Sequence, residues 1–452
     1  MNRFLRPLLF SAIAASAATP AFAVDLTIVC HCIEGGTDNA EAVWLKRNII
    51  PEFSAMMKAK GKDVSVSLKE FGGEDDQFAQ QLALDFSTKS GSDVSGFDGF
   101  LIPGFVDGGL LKPLNQVAGA EVDSWEGWKH IGDGSRALMS YAGQTYGLAV
   151  GTDVRMILTR KDLLAKAGIK ADGWQPKSWD DLLEAARALK KADPSSFPLQ
   201  LDGGTSMGEA TTMQGYYMAL LGTGESVRDD SGKWIVSSPG ILDTLNLYKT
   251  IYVDEALGDQ RAQLLADGRN RTFANFRDGK TALLIESDWF YSSVTAPGTE
   301  FGVTDRDKVV GWAKMPAKKP GAGFRGQDFV TISGGTGFVI NPNTKYPAES
   351  WALLAFMNGK DQLAQYQKLE EAVRIRDDVP IQDSKFLRKA AAELLPLTTA
   401  RPNDPNYAKV STEIQRMTEA VISGELSPAD AMAHYKAAVT AIVGADNTIS
   451  LN

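Results

Sequence analysis

The chain has 452 residues, 44% hydrophobic and 23% charged, an ordinary globular composition with material for two or three domains. Its 56 acidic residues outnumber 47 basic ones, a net charge of −9, which argues against nucleic acid or an anionic membrane as the main partner. No internal repeat, low-complexity tract or heptad run is present.

Met1 to Ala23 carries Arg3 and Arg6, an apolar run from Leu8 to Ala18, and Ala21-Phe22-Ala23. That is a secretory signal peptide with an A-x-A cleavage site, too short and wrongly flanked for a spanning helix. A lipid anchor would need a cysteine at the cleavage point. The nearest, Cys30, follows Asp25 and Val29, which do not suit one. Cleavage after Ala23 and a periplasmic location are expected, and no later segment has 18 uncharged apolar residues.

VDLTIVCHC is β-branched and reads as a strand. Val43, Leu45, Ile49, Ile50, Phe53, Met56 and Met57 follow at helical spacing, and Gly61 stops the run. VSVSLKEF alternates as a strand, EDDQFAQQLALDFSTKSG is a helix with acids at its start, and DVSGFDGF is a third strand. Strands alternating with amphipathic helices imply an α/β fold with a parallel sheet. TYGLAVGTDVRMILTR carries a strand across a glycine, and PKSWDDLLEAARALKKADP is a helix capped by Ser178. FVTISGGTGFVINPN is a strand pair broken by glycines, and long helices close the chain, one starting at Ser427-Pro428.

Several stretches together resemble the extracellular solute-binding proteins of family 1, the maltose-binding-protein-like sugar-binding components of bacterial ABC importers. They are GSDVSGFDGFLIPGFVDGGLLKPL, YGLAVGTDVRMILTRKDLLAKAGI, PKSWDDLLEAARAL, FRDGKTALLIESDWF, ISGGTGFVI, EAVRIRDDV and ARPNDPNYAKVSTEIQRMTEAVISGELSPADA. Ala149, Thr159-Arg160, Thr336 and Arg374 depart from the usual pattern near the presumed cleft. The resemblance implies two α/β lobes joined by crossing strands, with ligand between them, no catalysis, no cofactor and a monomeric state. Lobe one is expected at 24–150 plus 328–373 and lobe two at 154–315 plus 374–452, with crossings near 149–153, 316–327 and 373–376. The implied partners are a small-molecule carbohydrate and membrane permease subunits.

A sugar site pairs hydroxyls with carboxylates, amides and guanidiniums and covers the ring with an aromatic face. In open α/β sheets such groups sit in loops after strands. Glu34 and Thr37 follow the first strand, with Asp38 beside them as a helix cap or a further ligand. Gln77 follows the second strand. Phe97 and Asp98 follow the third, and Asp98 matches the family's ligand position. Asp153 lies at the crossing, facing the cleft or pairing with Arg155. Trp289 ends a strand where the family's Trp stacks on sugar, with Asp288 its neighbour. Gly335 and Thr336 would let backbone approach a ligand, or mark a bulge. Arg374 and Arg376 would fork onto an acidic or substituted sugar, or pair with Glu371, Asp377 or Asp378.

The only cysteines, Cys30 and Cys32, flank His31. In a strand the two cysteines share a face opposite His31, so one metal would not take all three, and four ligands are wanted. No metal is expected. A Cys30–Cys32 disulfide and a pair of small buried thiols both stay open. His31 would donate to a sugar hydroxyl or serve as a hydrogen-bonded structural residue. Two further ligands keep the fold but change the chemistry: a polyamine, or ferric iron on Tyr216-Tyr217. An exported glycoside hydrolase would recruit Asp98 and Glu34.

Overall fold

The computed structural model describes residues 23–36, 38–73, 75–381 and 384–452. Residues 1–22 of the expected leader and the expected ligand Thr37 lie outside this range. The first lobe begins as β1 (Val24–Cys30), β2 (Val64–Glu70) and β3 (Val94–Asp98). β1 pairs in parallel with both of the others. Leu26, Ile28 and Cys30 alternate into the core, and the helix face of Trp44, Leu45, Ile49, Phe53 and Met57 packs there too.

The chain then builds β4 (Gly147–Thr152), β5 (Arg155–Arg160), β6 (Leu199–Gln200), β7 (Leu283–Ser287), β8 (Val310–Ala313), β9 (Met315–Pro316), β10 (Phe329–Ser333), β11 (Gly335–Ile340), β12 (Val373–Arg374) and β13 (Thr398–Ala400). The first-lobe sheet runs β12–β4–β11–β3–β1–β2. It is parallel only through β3, β1 and β2; β11 and β4 enter antiparallel because they arrive from, or leave for, the other lobe. The second lobe holds β8–β5–β7–β6 and β9–β10–β13. Its central strand β5 sends Ile157 to one core and Met156 and Leu158 to another, so its sheet is covered on both faces. The protein is thus a two-lobed α/β fold.

Three crossings join the lobes. The first, 153–154, falls between β4 and β5. The second is Gly334, not 316–327: β9 and β10 form an antiparallel pair, and Met315, Val330 and Ile332 all pack in the second-lobe core. The glycine-broken strand pair is therefore a passage between lobes. The third lies after Val379 and not at 373–376, since Ile375 and Val379 pack in the first-lobe core while Ala390 and Leu394 belong to the second.

β11 is wedged between β3 and β4, with a bulge between Thr336 and Gly337. A Cβ on Gly337 would stand 2.2 Å from the Leu148 carbonyl oxygen, a backbone atom that does not yield. Gly337→Ala should destabilise the protein by about 1–3 kcal/mol, read as a lower midpoint in urea unfolding; an unchanged midpoint would contradict this packing.

Candidate functional site

The strand ends of both lobes enclose a cleft of about 240 Å³. On the first-lobe side, β1 ends at Cys30, and the next residues turn sharply. Cys30 and Cys32 are disulfide-bonded, with Cα atoms 5.2 Å apart, and both are buried. The turn puts His31 on the opposite side, against the cleft. Its Nε2 donates to the Gly73 carbonyl at 2.6 Å, and its Nδ1 meets the Asp75 carboxylate at 3.0 Å. Both ring nitrogens act as donors, which requires an imidazolium. Burial opposes that charge, but the hydrogen bond and charge of Asp75, aided by Gly73, raise His31 to about 9 and hold Asp75 down at about 2.

At the crossings, Asp153 pairs with the Arg155 guanidinium and accepts from Gly334 N at 2.6 Å. Beneath it, Asp288 accepts from Val154 N at 3.2 Å and Ser287 Oγ at 2.9 Å, and burial together with the Asp153 charge pushes it up to about 7. Trp289, at the end of β7, is half-buried with its ring on the cleft. Phe273 packs edge-on against it, and Arg269 lies over it at 5.3 Å.

The lobes also touch across the cleft. Asp98 Oδ1, at the end of β3, accepts from Arg401 at 2.6 Å and from Phe100 N at 3.3 Å. Arg401 follows β13 of the second lobe, lies over the Phe100 ring at 4.3 Å, and reaches Glu209 at 3.2 Å. Glu209 also accepts from Tyr407 and Ser411, each at 2.6 Å. Burial raises Asp98 and Glu209 in spite of Arg401, and their charges hold Arg401 protonated. Elsewhere Ser293 of the second lobe donates to Glu370 of the first.

Two strand-end walls around a cleft, three crossings and a pre-formed interlobe contact set describe a clamp. The sequence matches the family of bacterial extracellular solute-binding proteins over residues 37–364. The chain belongs to that family. A binding protein of Brucella abortus (strain 2308) is 26% identical over 358 residues, 78% of this chain and 80% of its own length. Among solved structures, this solute-binding protein is similar in fold to an ABC transporter solute-binding protein from Thermotoga lettingae TMO bound with alpha-D-tagatose, at TM-score 0.76 and 22% identity over 93% of this chain and 100% of that one. Maltose-bound T. maritima MalE3 aligns with TM-score 0.76 and 20% identity, over 93% of this chain and 100% of that one.

Of the residues expected to meet ligand in this solute-binding protein, the cleft brings together His31, Phe97, Asp98, Asp153, Trp289, Gly335, Thr336 and Arg374. Their standing differs. Thr336 is exposed to the cleft. Phe97 is a core residue, edge-on to Phe105 at 4.9 Å, that forms part of the wall. At Gly335 a Cβ would stand 2.8 Å from a Leu138 methyl, so that side chain would have to shift. Glu34 is not at the cleft; it faces outward, bonded to Lys46 and Arg47. Arg376 turns away to Asp378 and the Asn358 carbonyl, and Gln77 stands outside the lining. Tyr216 and Tyr217 are fully buried in the second-lobe core, so the tyrosine pair expected for iron is not presented to ligand.

Sequence reasoning missed Arg401, Glu209, Arg269 and Glu370. Arg401 had one signal, an arginine between a short strand and Pro402. Glu209 stands nine residues past the two-residue strand β6, and Arg269 lies in a helix that follows another helix, so neither is marked by a strand end.

The His31–Asp75 pair has a definite pH dependence. A folded-state pKa above the unfolded value of 6.5 stabilises the protein fully below 6.5, and that stabilisation is lost as pH rises toward about 9. The midpoint of thermal unfolding should fall over that window, and His31→Asn should flatten the fall. Asp98→Asn removes one of two carboxylates that compensate buried Arg401, so the unliganded lobes should open, seen as a larger radius of gyration by small-angle scattering; no change would show that this pair does not hold the clamp.

Proposed function

We propose that the chain is the exported, periplasmic capture component of an ABC importer. It takes up a carbohydrate by closing two lobes on it, then presents the closed form to a membrane permease as a monomer, after cleavage at Ala23. The observation that carries this reading is the cleft itself. A half-buried Trp289 face stands among carboxylates and a cleft-exposed Thr336, between two lobes that each keep their own core. An apolar ring face beside hydrogen-bonding groups matches the two-sided surface of a sugar. Proteins of the same fold are described with tagatose, maltose and chitin oligosaccharide. A volume of about 240 Å³ is small beside the usual range of roughly 300–1,000 Å³ and favours a short saccharide.

The hydrolase reading loses the pair it was built on, Asp98 with Glu34, because Glu34 is tied to Lys46 and Arg47 outside the cleft. A strongly acidic sugar is also disfavoured: the Arg374 guanidinium donates to Gln367 and the Glu370 carbonyl, and Arg376 is paired with Asp378.

Thermal unfolding of refolded, ligand-free protein against mono- and oligosaccharides tests the reading. A ligand that binds only the folded state stabilises it by about 2.7 kcal/mol at one hundred times its Kd and so raises the midpoint. A rise with at least one sugar, without release of product, is expected, and Trp289→Ala should weaken that binding about tenfold, or about 1.4 kcal/mol. No response to any sugar would overturn the proposal.

A further inference from the structure

The cleft holds more carboxylates than its own cations engage. Eight carboxylates line it, against four guanidinium groups and one imidazole. Each cation is already engaged: Arg155 by Asp153, Arg401 by Asp98 and Glu209, Arg269 by Glu286, and His31 by Asp75. Arg374 lies over the Tyr366 ring at 3.9 Å and donates to Gln367 Oε1 and the Glu370 carbonyl.

Two first-lobe carboxylates are left over. Asp38 stands just before the helix Asn39–Trp44 with φ 52° and makes no side-chain cap to it. Glu41 lies in that helix's first turn, beside the Cys30 and Cys32 sulfurs. Among the described residues no hydrogen bond reaches either carboxylate. Asp38 is surrounded by protein yet open to the cleft lumen, and Glu41 is half-buried. Burial pushes Asp38 up to about 6, with Glu370 and Asp75 adding and His31 and Arg269 opposing. Burial, Asp38 and Glu370 push Glu41 up to about 8, against His31 and Arg374.

The opposite wall is short of donors too. Gln214, 3% exposed, gives its amide nitrogen to Glu286 at 3.5 Å, and its carbonyl oxygen has no donor among the described residues. The cleft therefore asks for hydrogen-bond donors and for positive charge. A hydroxyl brings one donor and no charge, whereas an ammonium brings three donors and a full charge. Hydrogen bonds to charged groups are roughly twice as strong as neutral ones.

We propose that the cleft is built for a carbohydrate bearing a basic nitrogen, an amino sugar whose ammonium seats between Asp38 and Glu41 while its ring lies toward Trp289. This rests on the carbohydrate reading above and names its substrate class. Titration calorimetry on refolded, ligand-free protein near pH 7 tests it, with pairs that differ only at the nitrogen: glucosamine and glucose, galactosamine and galactose, the β-1,4-linked glucosamine dimer and cellobiose. The N-acetylated forms and galacturonate complete the set. The amine of at least one pair should bind about tenfold or more tighter than its hydroxyl and N-acetyl counterparts. Asp38→Asn and Glu41→Gln should each shrink that gap, with the unliganded unfolding midpoint showing that both variants fold. A hydroxyl, N-acetyl or uronate sugar that binds as tightly as the amine would overturn the ammonium and leave the carbohydrate reading standing. Binding of putrescine or spermidine with no sugar bound would overturn both. No binding by any amine would overturn the proposal.

Discussion

One carboxylate ties the two lobes together at their base. Asp153 sits between β4 and β5, where the chain first leaves the first lobe, and it accepts from Gly334 N, where the chain returns. Its other partner, Arg155, also donates to the Ile332 carbonyl at 3.3 Å, and Thr152 Oγ1 donates to the Gly334 carbonyl at 2.8 Å. Two crossings are thus bound side by side by short polar contacts in a partly buried place, where hydrogen bonds to charged groups are worth about 1.5–3 kcal/mol each. If the crossings slid past each other, β11 would lose its register with β3 and β4, and Thr336 would leave the cleft.

From that base the two walls meet through few contacts. Phe100 packs edge-on against Tyr407, Asp98 meets Arg401, Asn403 donates to the Ser140 carbonyl, and Ser293 meets Glu370. These contacts are mainly polar, while each lobe keeps its own apolar core. Such an interface opens without unfolding either lobe, which is what hinge closure requires. Burial shapes its chemistry: it raises the carboxylates Asp98, Glu209 and Asp288, and only partners or a ligand hold the charge inside.

Much of this was legible locally. The strands that begin at Val24, the Ser178 cap (Ser178 Oγ accepts from Asp181 N at 3.2 Å) and the helix at Ser427-Pro428 depend on neighbours in sequence, and they stand where the spacing put them. Strand-end placement located Asp98, Asp153 and Trp289 at the cleft for the same reason. It failed for Glu34, because Lys46 and Arg47, 12 and 13 residues down the chain, draw that carboxylate outward. It also took Phe329–Ser333 and Gly335–Ile340 as one strand pair, because a single glycine looks alike in a broken strand and in a crossing. Only their pairing partners differ.

By itself the sequence determined the period of each element, hence the α/β class, and the strand ends that line the cleft. Tertiary structure decided which sheet each strand joins, which charges meet, and that Asp38 and Glu41 share a cleft left short of donors. The physical reason is range. Periodicity and capping act over one or two turns of chain, whereas Arg401 and Asp98 are 303 residues apart and meet only once both lobes have folded.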